Sequence, residues 1–308
     1  MNIQINLEGE EIVSEQNLRD KFIVPPFSVL DTRQKYWQER KRYWLSLGIE
    51  DELGRDSNLL GLSDACDRGY LDKEGTLGNS NLGKTSIFDP FLCEVIYKWF
   101  CPKNGRILDP FAGGSSRGIV ATKLGYRYLG IELRKEQVEA NREQAKKIGV
   151  FPDYIIGDSE EKLDEITETF DFIFSCPPYY NLEVYSNLEG ELSNMASYKR
   201  FLIKYGNIIR KSLRLLKYNR FACFVVSNIR NKDGLYLNLV GDTISLFCKN
   251  ENVYFYNDII LLNAIGSLPI RVKKIFRKNR KVGRLHQNIL LFYKGNNPEN
   301  IQKLNFHV

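Results

Sequence analysis

The chain has few of the residues that build metal centres or disulfide frameworks. It contains 2 histidines and 6 cysteines among 308 residues, and no two cysteines form a Cys-x-x-Cys pair. A zinc site normally takes four His, Cys or carboxylate ligands at close spacing, so we expect no metal. Isolated cysteines in apolar segments are typical of reduced thiols, which indicates a cytoplasmic protein.

Long hydrophobic runs are also missing. No apolar stretch approaches the roughly 20 residues that a membrane-spanning helix needs, and the first residues lead into acidic side chains instead of a signal-peptide core. With 43% hydrophobic and 27% charged residues, the composition is that of an ordinary globular protein. We therefore expect no membrane partner.

Acidic residues are absent from one short, strongly basic segment. Without its eight cations the chain has 36 basic and 38 acidic residues, so this segment accounts for the whole net charge of +6. Most charge runs are solvated surfaces, but one that contains the entire basic excess suits contact with phosphate. The residues that we predict to contact phosphate groups of a nucleic acid are Arg271, Lys273, Lys274, Arg277, Lys278, Arg280, Lys281 and Arg284.

Strand and helix patterns alternate from residue 86 onward, which predicts a parallel sheet with helices on both faces. Two β-rich runs near the end, 253–262 and 288–293, have no helical pattern between them. We expect them to form an antiparallel hairpin at the sheet edge, with the basic segment as a loop over 264–286. The predicted fold is α/β, with a Rossmann-like, mostly parallel seven-stranded sheet. The five strands predicted before the hairpin are 106–109, 126–132, 154–156, 170–174 and 221–226.

Residues 1–85 lack this alternation and are predicted to be an N-terminal extension to a catalytic domain at 86–308. Residues 34–44 favour a helix with Trp37 and Trp44 on one side. Docking of this aromatic stripe on the main domain is favoured over contact with nucleic acid. Residues 50–83 are rich in Gly, Asp, Asn and Ser, which is typical of a mobile loop or lid.

A glycine-rich turn follows the first predicted strand. Residues 109–118 read DPFAGGSSRG, and glycines at such a turn let a ligand approach the backbone. Glu132 ends the next strand, 23 positions after Asp109, where an acid accepts hydrogen bonds from ribose hydroxyls. Asp158 ends the third strand and is placed to bond an adenine amine. Because the turn lacks the Lys-Ser/Thr ending of a phosphate-binding loop, an adenosine ligand without phosphates fits better than NAD or ATP.

A second turn, residues 175–180, follows a short, mostly apolar run that reads as a fully buried strand. Its sequence is SCPPYY, and two prolines end the strand because neither can donate a ladder hydrogen bond. The carboxyl end of a parallel strand is where ligands bind in α/β sheets. A proline-rich strand exit with a packing tyrosine is the other interpretation, and the glycine-rich turn upstream favours a site.

Together the two turns resemble those of the S-adenosylmethionine-dependent amino-methyltransferases of DNA, which modify N6 of adenine or N4 of cytosine. That family carries Asp-Pro-Phe-x-Gly-x-Gly-Thr at its cofactor turn and Asp/Asn/Ser-Pro-Pro-Tyr/Phe at its catalytic turn. The matching segments here are 109–113 and 177–179, and the resemblance covers roughly residues 86–295. It implies S-adenosylmethionine as cofactor, double-stranded DNA as partner, and a target base that leaves the duplex. Whether the protein is a monomer or a homodimer stays open.

The resemblance also implies residue roles. The predicted cofactor contacts are Phe88, Asp109, Phe111, Gly113, Gly114, Glu132 and Asp158. The predicted catalytic residues are Ser175, Cys176, Pro177, Pro178 and Tyr179, with the Pro177 carbonyl accepting amine protons and Tyr179 (or Tyr180) stacking on the base. Two positions depart from the family pattern: Ser115 replaces a glycine, and Cys176 replaces Asp, Asn or Ser although a thiol accepts hydrogen bonds poorly.

Other functions remain compatible with the sequence. An RNA or protein-amide N-methyltransferase could use a similar Pro-Pro-Tyr turn. A catalytically degenerate homologue would bind DNA without transferring a methyl group. A small-molecule methyltransferase leaves the basic segment unexplained.

Overall fold

The computed structural model describes residues 15–50, 88–180, 190–231, 233–266 and 268–308. The helices in these ranges are α1 Glu15–Phe22, α2 Lys35–Ser46, α3 Pro90–Phe100, α4 Ser116–Lys123, α5 Lys135–Ile148, α6 Ser159–Glu165, α7 Tyr198–Leu215, α8 Leu239–Cys248 and α9 Leu268–Asn279. The strands are β1 Val29–Asp31, β2 Arg106–Asp109, β3 Arg127–Glu132, β4 Asp153–Ile156, β5 Phe170–Ser175, β6 Leu216–Val226, β7 Ile229–Arg230, β8 Tyr236–Leu237, β9 Val253–Leu262 and β10 His286–Lys294.

The main sheet has eight strands in the order β1-β9-β10-β6-β5-β2-β3-β4. All neighbours pair in parallel except β10, which is antiparallel to both β6 and β9. This confirms the predicted Rossmann-like, mostly parallel sheet. Two details of the prediction are wrong: β10 lies inside the sheet and not at its edge, and β1 from the N-terminal extension adds an eighth strand.

Successive side chains along the central strands belong alternately to two hydrophobic cores, one on each face of the sheet. Ile107 and Phe172 belong to one core, while their neighbours Leu108 and Ile173 belong to the other. Successive strand residues point to opposite faces, so helices packed on both faces bury every position of β5. This double burial explains why β5 reads as a continuous apolar run.

Helix α2 docks on the main domain through its aromatic side chains, as predicted. Trp37 and Trp44 are buried. The Trp37 Nε1 donates to Asp89 at 3.1 Å, and the Trp44 Nε1 donates to Glu94 at 2.7 Å. The predicted lid at 50–83 lies outside the described residues apart from residue 50.

Glu94 is the charged centre of this docking contact. It is 1% exposed and accepts hydrogen bonds from Arg40, Trp44 and Lys98 at 2.7–3.0 Å. Burial alone would raise the pKa of Glu94, but these three donors outweigh it and the pKa is lowered. The carboxylate therefore contributes stability above its unfolded pKa, and that contribution is lost as the pH falls through the folded-state pKa.

Replacing Glu94 by glutamine is expected to lower the free energy of unfolding by about 1–3 kcal/mol at neutral pH, because the buried site then lacks the charge that Arg40 and Lys98, both partly exposed, pair with. Urea denaturation measures this change. The matched control is Glu139→Gln, which removes an exposed i,i+4 pair with Lys135 and should cost less than about 0.5 kcal/mol. Equal, small losses in both variants would show that the contact does not hold α2.

The connection between β9 and β10 contains a helix, so the predicted uninterrupted loop is wrong for residues 268–279. Pro269 is the second helical residue, where a missing N–H breaks no intrahelical bond. Because β9 runs parallel to β5 and β6, this connection leaves and re-enters the sheet at the carboxyl edge of the parallel strands. Across the described ranges, no helix combines the length and the apolar character needed to cross a membrane.

Candidate active site

Both predicted turns emerge at the point where the strand order of the sheet reverses. β2 pairs with β5 in the centre, with β3 and β4 on one side and β6 on the other. Ligands of open α/β sheets bind in the crevice at such a switch point, beyond the carboxyl ends of the strands. The cofactor turn, residues 109–118, leaves β2, and the catalytic turn, residues 175–180, leaves β5.

The Asp109 carboxylate joins the two turns. It is 0% exposed and accepts hydrogen bonds from Arg117 Nε at 2.5 Å, Tyr128 OH at 2.8 Å, Ser175 Oγ at 2.5 Å and Phe111 N at 3.1 Å. The cofactor contact that the resemblance implies for Asp109 stays a prediction. The carboxylate itself fixes the geometry of both turns.

Arg117, to which the sequence assigned no role, is the cation that balances Asp109. It is 5% exposed and also donates from Nη2 to the carbonyls of Phe111 at 2.6 Å and Ala112 at 2.8 Å. Burial lowers the pKa of Arg117, but the Asp109 charge, the nearby Tyr128 and Cys176 and the hydrogen bond to Asp109 together outweigh it, so the net pKa lies above the usual value. The guanidinium thus stays charged and sets the path of the cofactor turn.

The glycine at the centre of the cofactor turn is required by backbone conformation. Gly113 has φ +53°, whereas a Cβ added there would meet no atom closer than 3.9 Å. Its N–H donates to Glu132 at 3.0 Å, and its carbonyl accepts from Asn141 Nδ2 at 2.7 Å. Gly114 next to it is partly exposed, while Ser115 is buried and donates to Gln144.

A row of buried amide side chains on one face of α5 supports this turn through hydrogen bonds. Gln137, Asn141 and Gln144 are 1–2% exposed, and their spacing places them on one face of the helix. Gln137 donates to Asn141, which donates to the turn. This supporting role of the three amides was not predicted from the sequence. Their signal was polar side chains on the same helical face as Val138 and Ala145.

Glu132 lies beside the cofactor turn with hydrogen-bonding capacity left over. Its two oxygens accept from the backbone N–H groups of Gly113 and Arg134, both at 3.0 Å. Burial raises the pKa of Glu132, and the nearby Glu191 charge adds to the rise. The Arg134 charge and the two N–H groups lower the pKa, but the net pKa stays raised. Each carboxylate oxygen keeps a second lone pair, which suits donation from a hydroxyl group.

Asp158, the predicted adenine contact, caps α6. It accepts from Glu160 N at 2.9 Å and from the Lys204 ammonium. Gly190 (φ +94°) packs so close that an added Cβ would meet Asp158 Oδ2 at 2.5 Å. The carboxylate is thus oriented by a cation from α7, and the adenine contact stays a prediction.

The predicted aromatic contacts pack against different cores of the sheet. Phe88 lies over the Arg117 guanidinium at 4.6 Å and meets Phe174 edge-on at 5.7 Å. Phe111 tilts onto Tyr205 at 6.0 Å. Both rings are partly exposed, and their contact with a cofactor stays a prediction.

In the catalytic turn, both the ring and the hydroxyl group of Tyr179 are fixed by contacts. Its ring is 8% exposed within the core around α7. Its hydroxyl accepts from Gln287 Nε2 of β10 at 3.2 Å and lies 3.8 Å from the half-buried Cys176 Sγ. The sequence analysis did not include Gln287, because only the strand order brings β10 beside this turn.

The neighbouring residues of the turn differ in exposure. Pro177 is buried and Pro178 partly exposed. Tyr180 has φ +40° and packs edge-on against Tyr198 at 5.5 Å. Tyr180 is therefore held in the aromatic packing of α7, which leaves Tyr179 as the ring next to Cys176.

The basic segment lies at the same edge of the sheet as the two turns. Lys273, Lys274, Arg277, Lys278 and Arg280 are exposed, whereas Lys281 and Arg284 are partly buried. Arg284 donates to the His286 carbonyl at 3.0 Å and to Asn288 at 2.7 Å; Arg271 lies in α9, and its side chain is outside the described part. The same part of the chain contains no group of His, Cys, Asp and Glu able to bind a metal ion.

Residues 73–144 match the family model N6_N4_Mtase, described as DNA methylase. This segment is therefore similar to the N6/N4 DNA methylases. The match contains the cofactor turn and Glu132, and it supports the family predicted from the two turns, whose cofactor is S-adenosylmethionine. It ends before Asp158 and the catalytic turn.

Solved methyltransferase structures show a low similarity to this chain. TrmN from Thermus thermophilus aligns with a TM-score of 0.46 and 14% identity, over 67% of this chain and 49% of TrmN. A methyltransferase from Pyrococcus furiosus aligns with a TM-score of 0.45 and 15% identity, over 71% of this chain and 89% of the other. The precorrin-6y C5,15-methyltransferase of Geobacter metallireducens aligns with a TM-score of 0.42 and 12% identity, over 76% of this chain and 99% of the other.

These similarities carry no argument about substrate, and the chain spans only about half the length of TrmN. No curated protein matches the sequence. The fold assignment therefore stands on the observed strand order, and the family assignment on the matched segment.

The residues around Gly113 fit the nucleoside part of the cofactor. The positive φ of Gly113 and the open space above it allow close approach of a ligand. Glu132 supplies the acceptor expected for ribose hydroxyls.

Binding of S-adenosylmethionine is expected to weaken as the pH falls through the pKa of Glu132. That pKa is raised above the usual value of a glutamate side chain, and protonation removes the acceptor for the ribose hydroxyls. Equilibrium dialysis with labelled cofactor between about pH 5 and 8 measures this dependence. Glu132→Gln should bind weakly at every pH, and an unchanged pH profile in that variant would exclude Glu132 as the titrating contact.

Proposed function

We propose that the protein is a DNA methyltransferase that transfers a methyl group from S-adenosylmethionine to N6 of adenine or N4 of cytosine. The observation that carries the proposal is the hydrogen bond from Ser175 Oγ to Asp109 Oδ1. It joins the cofactor turn of the N6/N4 family to the Pro-Pro-Tyr turn at the switch point of the sheet. A base amine held at one turn then lies next to a cofactor held at the other.

The proposed mechanism uses the protein to orient the reactants and to accept a hydrogen bond from the target amine, and the amine proton that the methyl group replaces passes to water. S-adenosylmethionine supplies an electrophilic methyl group when bound. Gly113 and Glu132 hold the nucleoside, while the Pro177 carbonyl accepts a hydrogen bond from the target amine and localises its lone pair. Tyr179, fixed by Gln287, contacts the base plane. Fixing the two reactants at attack distance supplies much of the acceleration.

The basic segment supports DNA as the substrate. Its exposed cations occupy the same edge of the sheet as the two turns, so a duplex bound there presents its bases to the crevice. Lysine and arginine contacts to phosphates supply affinity that falls steeply with salt. The target base must leave the stack to reach a crevice of this kind. The free cysteines of the described part suit the reducing cytoplasm that we propose as the location.

Methyl transfer to different substrate classes tests the proposal. The full chain is incubated with labelled S-adenosylmethionine and, separately, with duplex DNA, cellular RNA and a protein extract. We expect label in DNA, and Ser175→Ala should lower its incorporation. Label only in RNA or protein would favour the alternative methyltransferases, and DNA binding with no transfer to any substrate would favour a catalytically degenerate homologue.

A further inference from the structure

A two-stranded hairpin that the sequence analysis assigned no role lies at the catalytic edge of the sheet. β7 and β8 pair antiparallel, with Ile229 opposite Leu237 and Arg230 opposite Tyr236. The hairpin follows β6, whose carboxyl end lies at the same edge as the catalytic turn. Its first residue, Ile229, is 4% exposed and belongs to the same hydrophobic core as Tyr179. The base of the hairpin is therefore anchored beside the active site.

The outer part of the hairpin presents an aromatic ring stacked with an arginine. Leu235 is 66% exposed and Tyr236 46% exposed. The Arg230 guanidinium lies 3.8 Å from the centre of the Tyr236 ring, and Arg230 Nη1 donates to the Gly234 carbonyl at 2.8 Å. An arginine held over one face of a ring leaves the remaining aromatic surface of Tyr236 available for contact.

The hairpin also adjoins the basic segment. Lys281 packs against Gly234, where an added Cβ would overlap the lysine ammonium group. The hairpin carboxylate Asp233 accepts a hydrogen bond from Asn231 at 3.3 Å. Cations from two separate elements therefore meet around Tyr236, at the edge where the exposed lysines and arginines of α9 also lie.

We propose that this hairpin is a second DNA-contacting surface, in which Tyr236 stacks on an unpaired base beside the target site. The inference rests on the proposed DNA methyltransferase function. Extrusion of the target leaves its partner base unpaired, and aromatic rings stack on unpaired bases of any sequence. Arg230 and Lys281 supply positive charge for the adjacent backbone, which an aromatic contact with protein or lipid would not require.

Fluorescence anisotropy with a labelled duplex that carries one abasic site, which leaves the opposite base unpaired, tests the contact. Tyr236→Ala is expected to bind about 5- to 150-fold more weakly than wild type, the range for loss of one base stack, and Tyr236→Phe should retain the affinity. The matched control is Tyr254→Ala, because Tyr254 is 52% exposed at the start of β9 and hence at the opposite edge of the sheet. Both rings are exposed, so the unfolding midpoints should match that of wild type.

The salt dependence of the affinity for DNA distinguishes a stacking contact from a contact with phosphate. Tyr236→Ala should leave the slope of log affinity against log salt unchanged, since the ring contacts no phosphate. Lys273→Ala in α9 should reduce that slope by about 0.9, the value for one phosphate contact. A reduced slope in Tyr236→Ala would contradict the stacking role.

The outcomes distinguish this inference from the function on which it rests. A wild-type protein that binds and methylates DNA, with Tyr236→Ala and Tyr254→Ala equally active and equally tight, overturns the hairpin contact alone. A wild-type protein with no affinity for DNA overturns both. Selective loss of affinity in Tyr236→Ala, with Tyr236→Phe intact, supports the hairpin as part of the DNA surface.

Discussion

Replacing Asp109 by asparagine is expected to abolish methyl transfer and to lower the free energy of unfolding by about 3–5 kcal/mol. The variant leaves the Arg117 cation buried without its charge partner, and breaking a buried ion pair from one side has this cost. It also weakens the contact with Ser175 that joins the two turns. Urea denaturation and labelled-cofactor binding measure the two effects separately.

The control for this prediction is Asp164→Asn, which removes an exposed carboxylate paired with Lys211 and Arg214. It should cost less than about 1 kcal/mol and leave transfer unchanged. Ser175→Ala keeps the Asp109–Arg117 pair and deletes only the hydrogen bond between the turns, at about 1 kcal/mol. A folded Ser175→Ala protein with wild-type activity would show that the turns need no such link.

Replacing Tyr179 by alanine should lower the rate of methyl transfer about 100-fold or more while leaving the affinity for S-adenosylmethionine nearly unchanged. The ring is the part of the catalytic turn that would position the base plane, and a small misplacement of the reacting amine is sufficient for a loss of this size. Its removal does not touch Gly113 or Glu132. Single-turnover transfer and equilibrium dialysis give the two quantities.

Tyr179→Phe is the matched variant, because it keeps the ring and removes only the hydroxyl that accepts from Gln287. We expect a smaller loss of rate than with alanine, and the same loss in Gln287→Ala. A Tyr179→Ala protein with unchanged turnover would rule out the stacking role.

Most elements of the fold could be predicted because their patterns are local. The bounds of β2 and β9 agree with the sequence prediction to the residue, since each is a clear apolar or amphipathic run between turn residues. β1 has only three residues, too few to show alternation, and it forms by pairing with β9. α9 was missed because glycine, serine and proline precede a run of cations, a composition that also suits a loop.

The candidate site was only partly predictable, because its internal contacts depend on strand order. The sequence indicated which turns matter, and the structure places both at the switch point. It could not indicate that Tyr128, Ser175 and Arg117 converge on Asp109, because they come from β3, β5 and α4. A fully enclosed Asp109 follows from that convergence and not from the motif.

Identification of the methylated nucleoside tests the central claim most directly. The protein is incubated with labelled S-adenosylmethionine and duplex DNA, and the DNA is then digested to nucleosides and separated. The joined turns at Asp109 and Ser175 predict N6-methyladenine or N4-methylcytosine in wild type and little of either in Tyr179→Ala. A methyl group on a ring carbon, or no methylated nucleoside from a protein that binds both cofactor and DNA, would contradict the account.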